Sequence, residues 1–371
     1  MRIMHQRILA MLLGTALIIW LVLSVVAAPR ATAAAPSVST LLDLSYGDGR
    51  DEVGALEAHE LDPSSPPLSP AMCRMMQDGT IWVLDTVNAR ILEFRGGQQV
   101  ACISTASFQK IPHYFGVTRS AVFLAKQGRR DDMPAGFLWR YDRADQTSRV
   151  IDLDLPDGRR FSPMSVAPLG SSGTQLLVCG STYPDLKDAA VAIDEGGSIS
   201  FVREGEHGSI PFMAAADGTV WQMISAAEQQ ENSVPVLVEQ WQPVDGSWPV
   251  LIEQWQPLDR SWTSVCSTSL PGRQLPSADA AHILLMPLGV DEQQRITVAL
   301  YEGRPSSLRF IRVSPSGEIL AAVGLEDFGF VDPQPPGRPV PRPAPIQLLP
   351  DGSILAQYAS PDRYRIIRIT F

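Results

Sequence analysis

The chain has 371 residues, with 30 Lys and Arg against 40 Asp and Glu and a formal net charge of −10. An acidic surface of this kind argues against nucleic acid as a partner, because phosphate contacts need clustered Lys and Arg. With 31 Pro, 28 Gly and only 19% charged residues in a 45% hydrophobic sequence, composition excludes a protein of long helices and predicts many short strands joined by turns.

The N-terminus reads as a targeting segment. Arg2, His5 and Arg7 precede the apolar run Ile8 to Ala28, and Ala31-Thr32-Ala33 and Ala33-Ala34-Ala35 are small-residue cleavage sites. Residues 1–35 are therefore either a signal peptide that is removed or an N-terminal membrane anchor that stays, since the run is about 20 residues long and can span a bilayer. In both cases the basic residues ahead of it place the remainder outside the cytoplasm, extracellular or in the cell envelope. Removal would take Arg2, Arg7 and Arg30 with it and bring the net charge from −10 to −13. Any membrane contact would run through this segment alone.

Residues 36–371 read as one domain. Thr40 to Leu44 is a strand with no partner nearby, and Tyr46 to Gly54 and Leu61 to Pro70 are loops. The most regular stretch follows. Ala71 to Met75, Thr80 to Leu84, Arg90 to Phe94 and Gln98 to Ile103 are apolar segments divided by Asp78-Gly79, Thr86-Val87-Asn88 and Gly96-Gly97. Gly tolerates positive φ, and Asp and Asn hydrogen-bond to their own backbone, so each cluster reverses the chain. The result is a four-stranded antiparallel meander, the size of one propeller blade.

Weaker copies run from His113 to Asp154, Phe161 to Glu204, Ile210 onward and His282 to Leu325. Ala216-Asp217-Gly218-Thr219-Val220-Trp221 matches Asp78-Gly79-Thr80-Ile81-Trp82, and Pro350-Asp351-Gly352-Ser353-Ile354-Leu355 opens a last unit that stops one strand short. An incomplete blade leaves an exposed edge. Thr40 to Leu44 is expected to fill it, closing a ring of six blades.

Two insertions stand out. Pro235 to Trp248 is followed at once by a near-identical Pro249 to Trp262, a tandem duplication with a period of 14 residues. One copy is expected in the fourth blade, and the other as a peripheral hairpin over 235–262 that presents Trp241 and Trp255, aromatic residues suited to a protein interface. Residues 332–345 are Pro-rich and predict an extended spacer loop. Cys73, Cys102, Cys179 and Cys266 show no paired spacing, and buried structural thiols are the simplest expectation.

Asp78-Gly79-Thr80-Ile81-Trp82-Val83-Leu84-Asp85, followed by Asn88-Ala89-Arg90-Ile91 and Phe94, resembles the NHL repeat, whose units run D-G-x-[IV]-[YW]-V-x-D, then N-x-R-[IV], then an aromatic. Asp217 to Trp221 and Asp351 to Leu355 resemble its opening. The stretch YGDGRDEVG also looks like the segment ahead of the first blade in exported bacterial NHL-like proteins. The resemblance implies an all-β six-bladed β-propeller of four-stranded antiparallel blades, closed by an N-terminal strand. The repeat's polar residues are scaffold in this view, with an exposed Asp85–Arg90 pair that contributes little.

Chemistry in a propeller gathers on the loops around the central channel. His113, His207 and His282 precede the second, fourth and fifth units and are the candidate ligands of a divalent metal, zinc or calcium. Asp48, Asp51 and Glu52 form an acidic loop without the full ligand spacing of a calcium motif. No GxSxG, Walker, HExxH or GxGxxG motif is present, so no catalytic residue is assigned. The leading expectation is an exported noncatalytic propeller acting as a scaffold for a protein or small-molecule ligand. The alternative is a metal-dependent hydrolase or lyase, lactonase-like, with its site at the channel mouth.

Overall fold

The computed structural model describes residues 35–54, 72–108, 114–130, 133–155, 157–185, 187–204, 212–225, 247–256, 261–271, 283–302, 308–329, 346–359 and 363–371. Nearly all of them belong to the compact unit Pro36–Thr370.

The chain begins with β1 (Ser37–Tyr46) and the short β2 (Glu52–Val53). Blade 1 then comprises β3 (Met72–Met75), β4 (Ile81–Asp85), β5 (Arg90–Arg95) and β6 (Gln98–Ser104). Blade 2 comprises β7 (Tyr114–Val117), β8 (Ala121–Arg130), β9 (Met133–Asp142) and β10 (Ser148–Asp152). Blade 3 holds β11 (Arg160–Leu169), β12 (Gln175–Tyr183), β13 (Asp188–Asp194) and β14 (Ile199–Glu204). Blade 4 holds β15 (Phe212–Ala214), β16 (Val220–Ser225), β17 (Ser247–Gln256) and β18 (Ser261–Pro271). Blade 5 holds β19 (Ile283–Val290), β20 (Ile296–Glu302), β21 (Leu308–Val313) and β22 (Ile319–Gly324). The chain ends in β23 (Gln347–Leu348), β24 (Ile354–Ala359) and β25 (Arg363–Thr370).

Each of the five blades is a four-stranded antiparallel meander in chain order, so the protein is an all-β propeller. The expectation of six four-stranded blades is corrected, because the remaining sheet has five strands in the order β2-β1-β25-β24-β23. It differs because both ends of the domain contribute to it. β1 pairs antiparallel with β25, and the chain then turns back so that β2 adds a parallel rung, Tyr46 opposite Val53.

The first strands of successive sheets touch one another: β3 with β7, β7 with β11, β11 with β15, β15 with β19 and β19 with β23, while β24 returns to β3. These are the inner strands. Apolar side chains alternate along each strand and fill both faces of a sheet. Trp82, Leu84, Phe115 and Trp139 fill the space between blades 1 and 2. Phe123, Phe161 and Val178 lie between blades 2 and 3, and Met213, Trp221, Val298 and Ile311 between blades 4 and 5. Leu42, Leu44, Val83, Phe94 and Tyr364 join the five-stranded sheet to blade 1.

The Asp-Gly turns are one structure repeated. Met76 N–H donates to Thr80 C=O at 2.9 Å and Gly79 N–H to Met76 C=O at 3.0 Å, and the same pair of bonds recurs at 215–219 and 349–353. In each, the Asp carboxylate accepts from the backbone two residues on: Asp78 from Thr80, Asp217 from Thr219 and Asp351 from Ser353, at 3.0, 2.9 and 2.9 Å. The glycine takes φ of 80°, 88° and 85° at positions 79, 218 and 352. That left-handed residue gives a three-residue hairpin loop the twist its strands need.

Two predictions follow from this geometry. Gly79→Ala is expected to cost about 1–2 kcal/mol through backbone conformation alone, since nothing lies within 4 Å of the added methyl. Gly352→Ala should cost more, because its methyl meets the Asp291 carboxylate and the Arg295 guanidinium as well; urea unfolding midpoints of the two variants measure the difference. Across the β1–β25 pair, Asp43 accepts from Arg363 Nε at 2.7 Å and sits 3.4 Å from Arg365 Nε. The Arg363 hydrogen bond, opposed by burial and reinforced by the charges of both arginines, holds the Asp43 carboxyl below its ordinary value. A depressed folded-state pKa stabilises above the unfolded value and is lost as pH falls. Asp43→Asn should therefore lower Tm at neutral pH, with the gap to wild type closing below about pH 4.

Candidate functional site

The turns at the ends of the inner strands are stitched together. Arg119 N–H donates to Gly173 C=O at 2.9 Å, Ser171 N–H to Ala216 C=O at 2.7 Å, Ala216 N–H to Val290 C=O at 2.9 Å and Glu292 N–H to Pro350 C=O at 2.9 Å. These bonds run in sequence from blade 2 through blade 5 to β23. The Gln347 side chain makes the next link, accepting from Met75 N–H at 2.8 Å and donating to Met75 C=O at 3.0 Å. In a propeller such inner strands surround a central channel.

Arg74, on β3, crosses that channel. Its Nη1 donates to Cys73 C=O at 3.0 Å, and its Nη2 donates to Val166 C=O on β11 at 2.7 Å, reaching past β7. Measured back from their turn glycines, Gly79 and Gly352, Arg74 and Gln347 hold equivalent positions of their inner strands. Both are long polar side chains, and each ties its own strand to another blade. Arg74 is 5% exposed, and its Nε–H has no hydrogen-bond partner among the described residues. Burial draws its pKa down to about 10 and pushes the neighbouring Cys73 thiol up to about 12, so at neutral pH a guanidinium cation lies against an uncharged thiol.

A second polar cluster organises the loop at 47–54. Asp85 is fully buried at the end of β4 and accepts from Gly54 N–H at 3.1 Å, Asn88 Nδ2 at 2.9 Å and Arg90 Nε at 2.9 Å. Arg90 also donates to Asp48 C=O at 2.7 Å and Glu52 C=O at 2.9 Å, and Asn88 donates to Gly47 C=O at 2.9 Å. Gly54 is required for this approach, since a Cβ there would lie 2.5 Å from Val87 Cβ. The expectation of an exposed, weak Asp85–Arg90 pair is thus corrected: the neighbouring loop folds over it. The acidic loop itself is held by protein, with Glu52 accepting from Gly49 N–H at 2.9 Å and Asp51 accepting from Gln99 N–H at 3.2 Å.

A buried Arg with carboxylates nearby offers a contrast to Arg74. Arg312 is also drawn down to about 10, by burial and then by Arg295, while Asp291 and Asp351 oppose the shift. Asp291 is itself tied to Arg295 Nε at 2.6 Å.

His113, His207, His282 and Trp241 lie outside the described residues. His113 and His282 directly precede Tyr114 and Ile283, the first residues of the inner strands β7 and β19. Among the described residues, no group of three or more His, Cys, Asp and Glu could hold a metal ion. Trp255 belongs to β17, where its backbone pairs opposite Trp262 of β18. The second repeat copy therefore supplies blade 4, while residues 235–246 of the first lie outside the described residues. All four thiols are free; Cys73 and Cys266 are buried, Cys179 is partly buried and Cys102 is exposed, which corrects the expectation for Cys102. Sequence reasoning missed Arg74. The one signal for it was an Arg inside the apolar run AMCRMM.

No family model and no curated protein matches the sequence. Solved structures are similar to it over most of its length. A streptogramin B lyase structure has 11% identity and a TM-score of 0.40 over 90% of this chain and 97% of its own. Virginiamycin B lyase from Staphylococcus aureus has 11% identity and a TM-score of 0.41, covering 91% and 99%. A putative gluconolactonase has 11% identity and a TM-score of 0.44, covering 90% and 93%. At these values the likenesses assign no activity to this chain. Its class is that of a β-propeller with four-stranded antiparallel blades.

One prediction tests the Asp85 cluster. Removing the carboxylate leaves Arg90 and the Gly54 amide without their partner, and Asp85→Ala is expected to cost about 3 kcal/mol. The loop at 47–54 should detach first, so limited trypsin digestion should cleave after Arg50 much faster than in wild type, as intact-mass analysis would show.

Proposed function

We propose that the protein is an exported, noncatalytic binding scaffold: a six-bladed propeller, NHL-like in its first blade, that works outside the cytoplasm. The five-stranded sheet acts as the sixth blade in this proposal, with β1 and β25 closing the ring from the two ends of the chain. Its pairing Leu44 opposite Tyr364 and its apolar contact with blade 1 support that role. Export rests on the basic and apolar pattern of residues 1–35.

One observation carries the scaffold function. The polar residues that make the first blade resemble a known repeat, Asp85, Asn88 and Arg90, are committed to one another and to the backbone at 47–54. They build the frame rather than act on a substrate. Ligands of such a frame are held by the loops and inner strand edges that it positions, and the ligand is a protein or a small molecule.

Elemental analysis of the purified chain from residue 36 onward, beside the His113→Ala, His207→Ala, His282→Ala triple variant, tests this. The scaffold proposal expects no stoichiometric zinc or calcium that depends on the three imidazoles. Metal bound one-to-one in wild type and lost in the triple variant would overturn it in favour of a metal-dependent hydrolase or lyase at the channel mouth.

A further inference from the structure

Arg74 stands apart from every other buried ion of the described residues. Asp85 has Arg90, Asp291 has Arg295, and Arg312 has Asp291 and Asp351 as electrostatic neighbours. Arg74 has only the neutral Cys73 thiol. A guanidinium carries five N–H donors in a fixed fork, and two are used, on Cys73 C=O and Val166 C=O. The Nε–H and one further hydrogen on each terminal nitrogen remain. Arginine does not relieve burial by losing its proton at neutral pH, and a buried charge without an opposite partner is strongly unfavourable. Among the described residues Arg74 is therefore a buried cation with no opposite charge beside it, and its Nε–H is a donor without a partner.

We propose that Arg74 receives the carboxylate of a small ligand in the central channel. This deepens the binding-scaffold proposal and rests on it. A carboxylate suits the remaining donors better than a spherical ion does, because its two oxygens match adjacent N–H groups of the fork. The two bonds already made fix the guanidinium between β3 and β11, so the fork is oriented before the ligand arrives and little side-chain entropy is lost on binding. Gln347, at the equivalent position of β23, is by contrast engaged in both directions by Met75.

The experiment uses the chain from residue 36 onward and sodium acetate as the probe, at constant ionic strength made up with a bulky sulfonate salt. Wild type should show a saturable rise in Tm, on the order of 2–4 °C. Arg74→Met, close in volume and uncharged, should lose the rise completely, and Arg74→Lys, which keeps the charge but not the fork, should need at least about tenfold more acetate. A wild-type Tm indifferent to acetate, or a rise that persists in Arg74→Met, overturns the proposal. Should Arg74→Met fail to fold, the linewidth of the chloride NMR signal with wild type decides. Broadening that acetate reverses supports a carboxylate site; broadening that acetate leaves unchanged, or no broadening, overturns it. Failure here removes the carboxylate as ligand and leaves the scaffold proposal to the metal analysis, whose outcome does not depend on Arg74.

Discussion

A four-stranded twisted sheet with apolar residues on both faces has no way of burying either face by itself, and every other feature of this protein follows from that constraint. Each blade must be covered on two sides, so each becomes the partner of the next, and the chain is drawn into a succession of face-to-face contacts. Phe123 and Phe161 belong to different blades, as do Trp221 and Val298, yet each pair lies in one core cluster. In the last sheet β23 to β25 make only three strands, and β1 extends them by pairing along the length of β25. The hydrophobic effect thus decides which parts of the sequence become neighbours, and the hydrogen bonds that follow refine their register.

The polar residues are arranged to serve that packing. Asp78, Asp217 and Asp351 each cap a turn whose glycine sits in the left-handed region, and these turns join the inner strand of a sheet to the next. Buried Asp85 and Asp291 do something further, since each gathers an arginine and backbone N–H groups from the segments around it. A buried carboxylate is tolerated because its lone pairs are filled. Through Asp85 and Arg90 the segment at 47–54 is attached to blade 1, so the sheet that holds β1 and β25 is tied to its neighbour by polar bonds as well as by apolar contact.

The channel is where this economy of partners stops. Backbone bonds and Gln347 link the segments around it, and Arg74 lies there as a buried cation beside a neutral thiol. Among the described residues the other buried charges have opposite charges beside them, and that exception directs attention to Arg74 between β3 and β11 rather than to the repeat motif. The motif's own residues are exhausted by structural duty, and a ligand would meet the scaffold at a position that no repeat pattern marks.

Local chemistry was legible in the chain. Strands over 90–95 and 98–104, the hairpins at Asp78-Gly79, Asp217-Gly218 and Asp351-Gly352 and the meander order of the blades all depend on neighbours a few residues away, so alternation and turn residues were sufficient to find them. The division of the duplicated segment was not legible, because two near-identical copies have equal strand propensity and only pairing with β16 and β18 selects the one at 249–256. The burial of Asp85 depended on a loop some 40 residues away in sequence, and an Arg in a short apolar strand reads from sequence as an irregularity. By itself, then, the sequence determined an all-β chain of repeated four-stranded meanders, with its turns. Only the tertiary structure decided that the last sheet has five strands and that Arg74 crosses the centre to Val166, because both result from contacts between residues far apart in the chain, which no local pattern encodes.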